Sequence, residues 1–260
     1  MAITILRKDN PLPLISGNNK MYALITRPLI DSEDLRTGLS NLGYVPILQP
    51  MFSISTNLSK QNELNNFLAN DSKVVVITSK NAIRALKLMT NKRNIHLVTV
   101  GEESARLAKE LGFMNVVSGP GNAACLADYL GLYYNKQELL YLSGNIIAAN
   151  LPKILQNKGL IMERLAIYHA NPCHDLSETL IEVIKNNQLR LAIFCSARTA
   201  EIFINLVKKY NIEQKLKDVV AYSLSKNIAS KLHTINWQNI DISKNLKLVM
   251  DKIREHSGKK

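Results

Sequence analysis

Short apolar runs alternate with segments of helical periodicity along nearly the whole chain, and this alternation strongly limits the possible folds. The runs consist mainly of Val, Ile and Leu without intervening polar residues, as in VVVIT at 74–78, which is typical of strands buried on both faces of a parallel sheet. Between the runs, apolar residues recur at helical spacing, as at 202–210 and 246–253. The repeated order of strand, short loop and helix predicts right-handed βαβ units and a doubly wound α/β fold.

The predicted strands are too many for one sheet in a chain of 260 residues, so we expect two sheets. Two extended, proline-containing segments, VPILQPMFS at 45–53 and LAIYHANPC at 165–173, indicate crossings between two domains. We predict a discontinuous α/β domain at 21–44 plus 171–256, an inserted α/β domain at 53–165, linker strands at 45–52 and 166–170, and an N-terminal extension at 1–20. The predicted strands are YALIT at 22–26, VPIL at 45–48, VVVIT at 74–78, HLVTV at 96–100, NVV at 115–117, LLYL at 139–142, LAIY at 165–168, LAIFC at 191–195, VVAYS at 219–223 and NIDI at 239–242.

The composition excludes several classes of protein. With 46% hydrophobic and 21% charged residues, the chain has the balance of an ordinary globular protein, unlike disordered, collagen-like or coiled-coil chains. No apolar run approaches the roughly 18 residues of a membrane helix, and the start of the chain lacks a secretory signal pattern. The three cysteines, Cys125, Cys173 and Cys195, show no CxxC spacing. We therefore expect a cytoplasmic protein with no disulfide framework and no membrane association.

The charge balance is basic, because 33 Lys and Arg residues against 21 Asp and Glu residues give a net charge of +12. Nucleic acid, anionic lipid or a polyanionic small molecule would be attracted to such a chain. The charge is spread along the sequence and aromatic residues are only 6%, whereas nucleic-acid binders more often concentrate their charge and interleave it with aromatic residues. Charge alone leaves open a focused anion site and a nucleic-acid groove.

Several familiar catalytic motifs are missing from the sequence. There is no GxGxxG, GxxxxGK[ST], GxSxG or HExxH. The five histidines do not show metal-ligand spacing, so we expect no metal site. Instead, several predicted strands end in small polar residues that open a helix, and such loops lie at the carboxyl edge of a parallel sheet, where ligands bind. These loops contain Thr26-Arg27-Pro28, Thr78-Ser79, Gly101 to Ser104, Ser143-Gly144-Asn145, Ser196, Ser223 and Ser225.

Each of these loops offers backbone N–H groups and a hydroxyl at the positive end of a helix dipole, which suits a carboxylate or a phosphate. The alternative is that Ser79, Ser196 and Ser225 are helix N-caps, a role compatible with ligand binding. Arg27 is either a carboxylate clamp or half of a surface ion pair. Tyr168 ends the second linker strand, where it is either a packing residue or a hydroxyl that acts as a donor or an acid. On two facing domains, six such loops predict a cleft lined with anion sites.

Eight segments stand in a fixed order along the chain: ALITRP at 23–28, GYVPILQPMF at 43–52, VVITSKNAIRAL at 75–86, VTVGEESARLAKELGF at 98–113, YLSGN at 141–145, ERLAIYHA at 163–170, IFCSARTAEIF at 193–203 and LSKNIASKL at 224–232. As an ordered set they resemble the uroporphyrinogen-III synthase family. The resemblance implies two similar α/β domains joined by a two-stranded linker, with the active site in the cleft between them. It also implies a cofactor-free lyase of tetrapyrrole (heme) biosynthesis. Such an enzyme closes the linear substrate hydroxymethylbilane into uroporphyrinogen III, with inversion of ring D and loss of water.

Position by position, the resemblance also implies site residues in the inserted domain. Ser79 matches the serine of the family's TS-x-x-A turn, which here contains Asn81 as well. Ser104 matches the hydroxyl residue of the family's G-x-x-[TS]-A loop. Tyr168 matches a tyrosine proposed to help the substrate hydroxyl leave, and it is therefore the implied catalytic residue.

In the other domain, Ser196 falls on the corresponding turn, and the segment from Ser225 to Asn227 falls on the last substrate loop. The sequence also departs from the family pattern. Many relatives have an arginine where this chain has Ser143, and some have a threonine where it has Ile228. The predicted substrate-binding residues are Arg27, Ser79, Asn81, Ser104, Ser143, Gly144, Asn145, Ser196, Ser225 and Asn227.

Two rival functions stay open on the sequence alone. Two α/β lobes with a cleft also describe solute-binding proteins, so one alternative is a two-lobed small-anion binding protein without catalytic activity. The other is a nucleic-acid-binding protein, which the net charge of +12 keeps open. We expect the synthase, acting as a monomer on a small-molecule substrate and without nucleic acid.

Overall fold

The computed structural model describes residues 20–70, 73–147 and 149–257, and these residues form two compact units. The first unit contains the described residues up to 51 together with those from 174 onward, and the second contains those from 52 to 173. Residues 1–19, which make up nearly all of the predicted N-terminal extension, lie outside the described residues.

The secondary structure alternates between strands and helices, as the sequence predicted, and each predicted strand overlaps an observed one. In chain order the strands are β1 (Tyr22–Ile25), β2 (Val45–Leu48), β3 (Phe52–Thr56), β4 (Val74–Ile77), β5 (His96–Thr99), β6 (Val116–Ser118), β7 (Leu139–Gly144), β8 (Met162–Pro172), β9 (Leu189–Phe194), β10 (Val220–Ser223) and β11 (Asn239–Ile242). The helices are α1 (Glu33–Asn41), α2 (Gln61–Leu68), α3 (Lys80–Met89), α4 (Glu102–Glu110), α5 (Ala123–Tyr133), α6 (Leu151–Gln156), α7 (Glu178–Lys185), α8 (Ala197–Lys209), α9 (Lys226–Leu232) and α10 (Leu246–His256).

The first unit holds a parallel sheet with the strand order β11-β10-β9-β1-β2. The chain leaves β1 toward β2 at one edge, and after β9 it continues toward β10 and β11 at the other. The strand order therefore reverses between β1 and β9. Ala23 and Ile25 of β1 pack in one apolar cluster with Leu39 of α1 and Val249 of α10.

The second unit holds a six-stranded sheet with the order β3-β8-β7-β4-β5-β6. All neighbouring pairs are parallel except β3 and β8, which are antiparallel. The order reverses between β4 and β7. Alternate residues of β4 belong to different apolar clusters, Val75 and Ile77 to one and Val74 and Val76 to the other. Burial on both faces explains why VVVI does not alternate with polar residues.

The chain passes from one sheet to the other at two places, and both predicted linker segments, 45–52 and 166–170, contain strand residues. Residues 45–48 form β2 in the first sheet, and only residues 49–51 separate β2 from β3 in the second. Residues 166–170 belong to β8, which pairs with β7 in its first part and with β3 in its second. The sequence did not predict β3 as a strand. Its central residues 53–55 are exposed, so it lacks the buried apolar run by which the others were identified.

No helix in the described part of the chain is both long and apolar enough to cross a membrane. Within the same ranges, the His, Cys, Asp and Glu side chains form no group of three or more that could hold a metal ion.

Candidate active site

In open α/β sheets, ligands bind at the carboxyl ends of strands, where the strand order reverses. In the second unit this point lies between β4, which is followed by Thr78 and Ser79, and β7, which ends at Gly144. In the first unit the strand order reverses between β1 and β9. Thr26 and Arg27 follow β1, and Cys195 and Ser196 follow β9. Most of the residues predicted from the sequence therefore lie at these two positions, one in each unit.

Tyr168 and Ser79 are brought together in the second unit. The Tyr168 hydroxyl donates a hydrogen bond to Ser79 Oγ at 3.2 Å, and the tyrosine is only 8% exposed. Ser79 is also the N-cap of α3, because its Oγ accepts from the backbone N–H of Asn81 at 3.2 Å. The N-cap interpretation of Ser79 is thus confirmed, and the cap oxygen contacts the candidate catalytic hydroxyl at the same time.

Gly144 lies directly against the ring of Tyr168. A Cβ atom at this glycine would be 2.6 Å from Tyr168 Cζ and 2.9 Å from its hydroxyl oxygen, distances that real Cβ contacts do not reach. The register between β7 and β8 shifts at this point, so that Ser143 pairs with Ala166 but Gly144 pairs with Tyr168. This irregularity places Tyr168, rather than Ile167, opposite the glycine.

The loop after β7 is hydrogen-bonded to β8 at Tyr168 and two residues after it. The backbone N–H of Asn145 donates to the Tyr168 carbonyl at 2.9 Å, and the Asn145 Oδ1 accepts from the N–H of Ala170 at 3.0 Å. Asn145 is itself exposed. Its polar groups therefore help to fix the backbone around Tyr168 while the residue stays accessible to solvent.

A second pair of hydroxyls lies at the same edge of the sheet; the sequence reasoning noted Thr78 only as part of a loop and missed Tyr141. Thr78 Oγ1 and the Tyr141 hydroxyl are 2.7 Å apart. Burial raises the pKa of Tyr141, the hydrogen bond with Thr78 opposes that rise, and the nearby Tyr168 adds to it. A signal was present in the sequence, because Tyr141 is the one residue of LLYL that carries a polar group.

Ser143 is buried, and its hydroxyl is engaged within the protein. Its Oγ donates to the carbonyl of Gly144 at 3.0 Å and accepts from Arg164 Nε at 2.8 Å. Arg164, in β8, is another residue that the sequence reasoning missed. Its position beside Glu163 near the start of β8 gave no sign that its side chain reaches the end of β7.

Ser104 and Asn81 lie at the N-terminal turns of neighbouring helices. Ser104 is 7% exposed in the first turn of α4, which follows β5, the strand next to β4. Asn81 Oδ1 accepts from Arg84 Nη1 at 3.3 Å. Among the described residues, no hydrogen bond joins Ser104 to Tyr168 or Ser79. The substrate-binding roles of Ser104 and Asn81 stay predictions.

In the first unit, Arg27 and Ser196 follow adjacent strands. Ser196 is the N-cap of α8, with its Oγ accepting from the N–H of Thr199 at 3.1 Å. Burial raises the pKa of the Cys195 thiol to about 11, and the positive charge of Arg27 acts in the opposite direction. Arg27 is therefore close enough to the end of β9 for its charge to act on the Cys195 thiol.

Ser225 and Asn227 lie after β10, the strand next to β9. Ser225 is the N-cap of α9, and its Oγ accepts from the N–H of Ile228 at 3.3 Å. Asn227 is exposed, and its carbonyl accepts from the hydroxyl of Ser230 at 2.8 Å. As for Ser79 and Ser196, the N-cap interpretation of Ser225 is confirmed, whereas its binding role stays a prediction.

The curated relatives of this chain in sequence include a HemD protein and a synthase. The porphyrin biosynthesis protein HemD of Ruminiclostridium josui is 23% identical over 251 residues, which cover 90% of this chain and 48% of the relative. The uroporphyrinogen-III synthase of Saccharomyces cerevisiae is 26% identical over 161 residues, which cover 55% of this chain and 58% of the relative. The chain therefore spans about half the length of the curated relatives it matches.

Solved structures share its fold. The crystal structure of uroporphyrinogen-III synthetase from Helicobacter pylori superimposes with a TM-score of 0.59 at 16% identity, covering 91% of this chain and 99% of that one. A mutant uroporphyrinogen III synthase from Thermus thermophilus gives a TM-score of 0.58 at 17% identity, with 91% and 98% covered. Identities this low establish the fold alone. The family model described as uroporphyrinogen-III synthase HemD matches residues 33–248. Because that match takes in most of the 260 residues, the chain belongs to the uroporphyrinogen-III synthase HemD family.

Proposed function

We propose that this chain is a uroporphyrinogen-III synthase, a lyase that cyclises hydroxymethylbilane to uroporphyrinogen III with inversion of ring D and loss of water. Membership of the family supports the proposal. The observation that carries it within the molecule is the hydrogen bond from the Tyr168 hydroxyl to Ser79. This bond supports the proposal because the hydroxyl lies at the carboxyl edge of the sheet, where the strand order reverses and ligands are expected.

The reaction begins with loss of the hydroxyl group of the substrate. The carbon–oxygen bond breaks, the oxygen takes up a proton and leaves as water, and an electrophilic azafulvene forms on ring A. The substituted α-carbon of ring D then adds to the azafulvene methylene carbon to give a spiro intermediate. The bond from that α-carbon to the methylene attached to ring C breaks, and this methylene bonds to the free α-carbon of ring D. Loss of the proton from that carbon restores the pyrrole, with ring D reversed.

We propose that Tyr168 supplies the proton to the departing hydroxyl. A hydroxyl donor within hydrogen-bond reach of a leaving group is the arrangement that general acid catalysis requires. In the free protein the Tyr168 hydroxyl is held on Ser79 Oγ. On binding of substrate, this single hydroxyl hydrogen turns from Ser79 Oγ to the leaving oxygen, while Ser79 keeps its bond to the N–H of Asn81.

We propose that the larger part of the catalysis is positioning of the flexible bilane. Unaided, the bilane closes without inverting ring D, so the enzyme must hold the two ends in a different attack geometry, and such preorganisation contributes several kcal/mol. The substrate carries eight carboxylates, and the net charge of +12 favours its binding. The proposed contacts are Arg27, Ser79, Asn81, Ser104, Ser143, Gly144, Asn145, Ser196, Ser225 and Asn227.

The remaining properties are proposed on the same basis. We infer that the protein acts in the cytoplasm, as a monomer, without a cofactor and without nucleic acid. The free thiols of Cys125 and Cys195 support a reducing compartment. The proton transfer proposed for Tyr168 requires neither a redox cofactor nor a metal ion.

The deciding experiment is incubation of the full chain with freshly prepared hydroxymethylbilane. The products are oxidised to porphyrins, and isomers I and III are separated by chromatography. We expect isomer III with the protein and isomer I in the control without protein. Isomer I alone would contradict the proposed function. Binding of hydroxymethylbilane without turnover would instead favour the small-anion binding protein.

A further inference from the structure

Arg164 makes an unusual set of hydrogen bonds at the end of β7. It lies in β8 opposite Tyr141, and its side chain extends to the carboxyl end of the neighbouring strand. There Nε donates to Ser143 Oγ at 2.8 Å, while Nη2 donates to the carbonyls of Gly144 at 2.7 Å and Asn145 at 3.0 Å. The guanidinium is therefore fixed in one plane by three acceptors.

All three acceptors are neutral, so the positive charge of Arg164 is not compensated by them. In the described parts of the chain, no carboxylate lies within ion-pair distance of this guanidinium, and the residue is exposed to solvent. A guanidinium has five N–H donors. Three are used within the protein, which leaves the two donors on Nη1 for a ligand.

The position of Arg164 connects it with the proposed catalytic residue. The glycine whose carbonyl accepts from Nη2 is the same Gly144 that packs against the ring of Tyr168. Arg164 thus presents a fixed, uncompensated positive charge at the end of β7, where Gly144 packs against the ring of Tyr168. Fixation matters because a guanidinium that is already oriented loses less side-chain entropy when it binds a carboxylate.

We propose that Arg164 binds a carboxylate of the substrate through Nη1. This inference rests on the proposed function, whose substrate carries acetate and propionate side chains, and it adds a contact that the sequence reasoning did not identify. A hydrogen bond between an ionised donor and an ionised acceptor is stronger than a neutral one. Arg164 therefore contributes to substrate affinity more than to the chemical step.

A purely structural role makes a different prediction. If Arg164 only ties the loop after β7 to β8, its loss disturbs Gly144 and Tyr168, and turnover falls while substrate affinity changes little. If it binds a carboxylate, its loss raises KM and weakens the dependence of KM on salt, because one charge contact is gone. The separation of KM from kcat therefore distinguishes the two roles.

The experiment compares steady-state kinetics of the full chain with hydroxymethylbilane for wild type, Arg164→Gln, Arg164→Lys and Arg190→Gln. Arg190 is the matched control, since it is an exposed arginine in β9 and has no ion pair among the described residues. We expect Arg164→Gln to raise KM about tenfold, with kcat within about twofold of wild type. Its KM also rises less steeply with salt. Arg164→Lys keeps the charge and should retain the salt dependence, with KM raised about threefold, while Arg190→Gln matches wild type.

The outcomes separate the two proposals. Wild type that makes no uroporphyrinogen III contradicts the proposed function. If wild type is active and Arg164→Gln has an unchanged KM, the inference about Arg164 is wrong but the proposed function stands. The same holds if Arg164→Gln lowers only kcat and the melting temperature. If Arg164→Gln does not fold, Arg164→Lys decides, and a KM equal to that of wild type then overturns the carboxylate contact.

Discussion

Tyr168 combines two features that rarely occur in one core side chain, namely near-complete burial and a hydroxyl held at a ligand-binding edge. Its ring packs in an apolar cluster with Ile77, Leu142 and Ile167, which fixes the direction of the Oη atom. Ser79 then orients the hydroxyl itself. A buried ring provides the rigidity, and the polar tip provides the chemistry.

Replacing Tyr168 by Phe is expected to lower kcat by roughly 10²-fold, because the ring is kept and only the proton donor is removed. KM should change little. The measurement is the initial rate of uroporphyrinogen III formation from hydroxymethylbilane, with Tyr210→Phe as the control. The Tyr210 hydroxyl donates a hydrogen bond to Asp175 in the first unit, and neither residue belongs to the candidate site. A Tyr168→Phe rate equal to that of wild type would refute the acid role, above all if Ser79→Ala abolished turnover.

The sequence identified candidate site residues where the predicted strands end but missed two residues, Tyr141 and Arg164, that lie further inside a strand. Ser79 and Gly144 stand where a run of apolar residues gives way to small polar ones, a change that is visible in the sequence. Thr78 was noted only as part of such a loop, and Tyr141 and Arg164 lie inside strands. Their roles arise from the pairing of β7 with β8 and of β7 with β4. Such long-range pairing cannot be read from the local pattern.

At the scale of elements, the packing of β7 against Tyr168 requires a residue without a side chain at position 144. Gly144→Ala would put a methyl group 2.6 Å from Tyr168 Cζ, so the ring or the strand must move. We expect a loss of stability of about 1–3 kcal/mol and a fall in kcat of at least about tenfold, since the hydroxyl is displaced from Ser79. Unfolding in denaturant and steady-state kinetics measure the two effects.

Gly131→Ala in α5 is the control for this substitution. A Cβ at Gly131 would make an ordinary contact of 3.5 Å with Leu160 Cδ1. Removing a glycine from a helix interior is expected to stabilise the protein by about 0.5–1 kcal/mol, with activity unchanged. Equal activity in the two variants would show that Gly144 is not required for the placement of Tyr168.

The helix N-caps separate structural serines from the proposed binding serines. Ser196 caps α8 and Ser177 caps α7, each through an oxygen that accepts a backbone N–H. Alanine at either position should cost about 1 kcal/mol of stability. Only Ser196→Ala should also raise KM severalfold, because α8 follows β9 at the point where the strand order reverses. Equal KM values in the two variants would show that Ser196 is a helix N-cap without a role in substrate binding.

The elements themselves were largely predictable, and the exception has a physical cause. Strands buried on both faces give continuous apolar runs, and every such run in the sequence overlaps a strand. Strand β3 pairs only with β8 and exposes Ser53, Ile54 and Ser55. Phe52 and Ile54 alternate with the two serines, but two apolar residues are too short a period-2 pattern to identify a strand, so backbone pairing defines it.

At the scale of the whole molecule, two sheets built from similar βα units have different strand orders. The first sheet reverses between its first and third strands along the chain, β1 and β9, and the second reverses between β4 and β7. Local sequence patterns for a strand and its helix are alike in both, so they predict the number of sheets but not the order within each. The order nevertheless decides which loops come together within each sheet, and it accounts for the two groups of candidate site residues.

The net charge of +12 leads to a prediction for the whole chain. A basic protein attracts a polyanionic substrate over a distance set by the screening length, which falls from about 30 Å at 0.01 M salt to about 3 Å at 1 M. We expect kcat/KM for hydroxymethylbilane to fall severalfold across this range, with kcat nearly constant, since screening weakens association and not the chemical step. The rate of unaided closure to isomer I at each salt concentration controls for effects on the substrate, and the melting temperature controls for stability. A kcat/KM independent of salt would mean that the basic charge plays no part in substrate capture and that affinity comes from uncharged contacts such as backbone N–H groups.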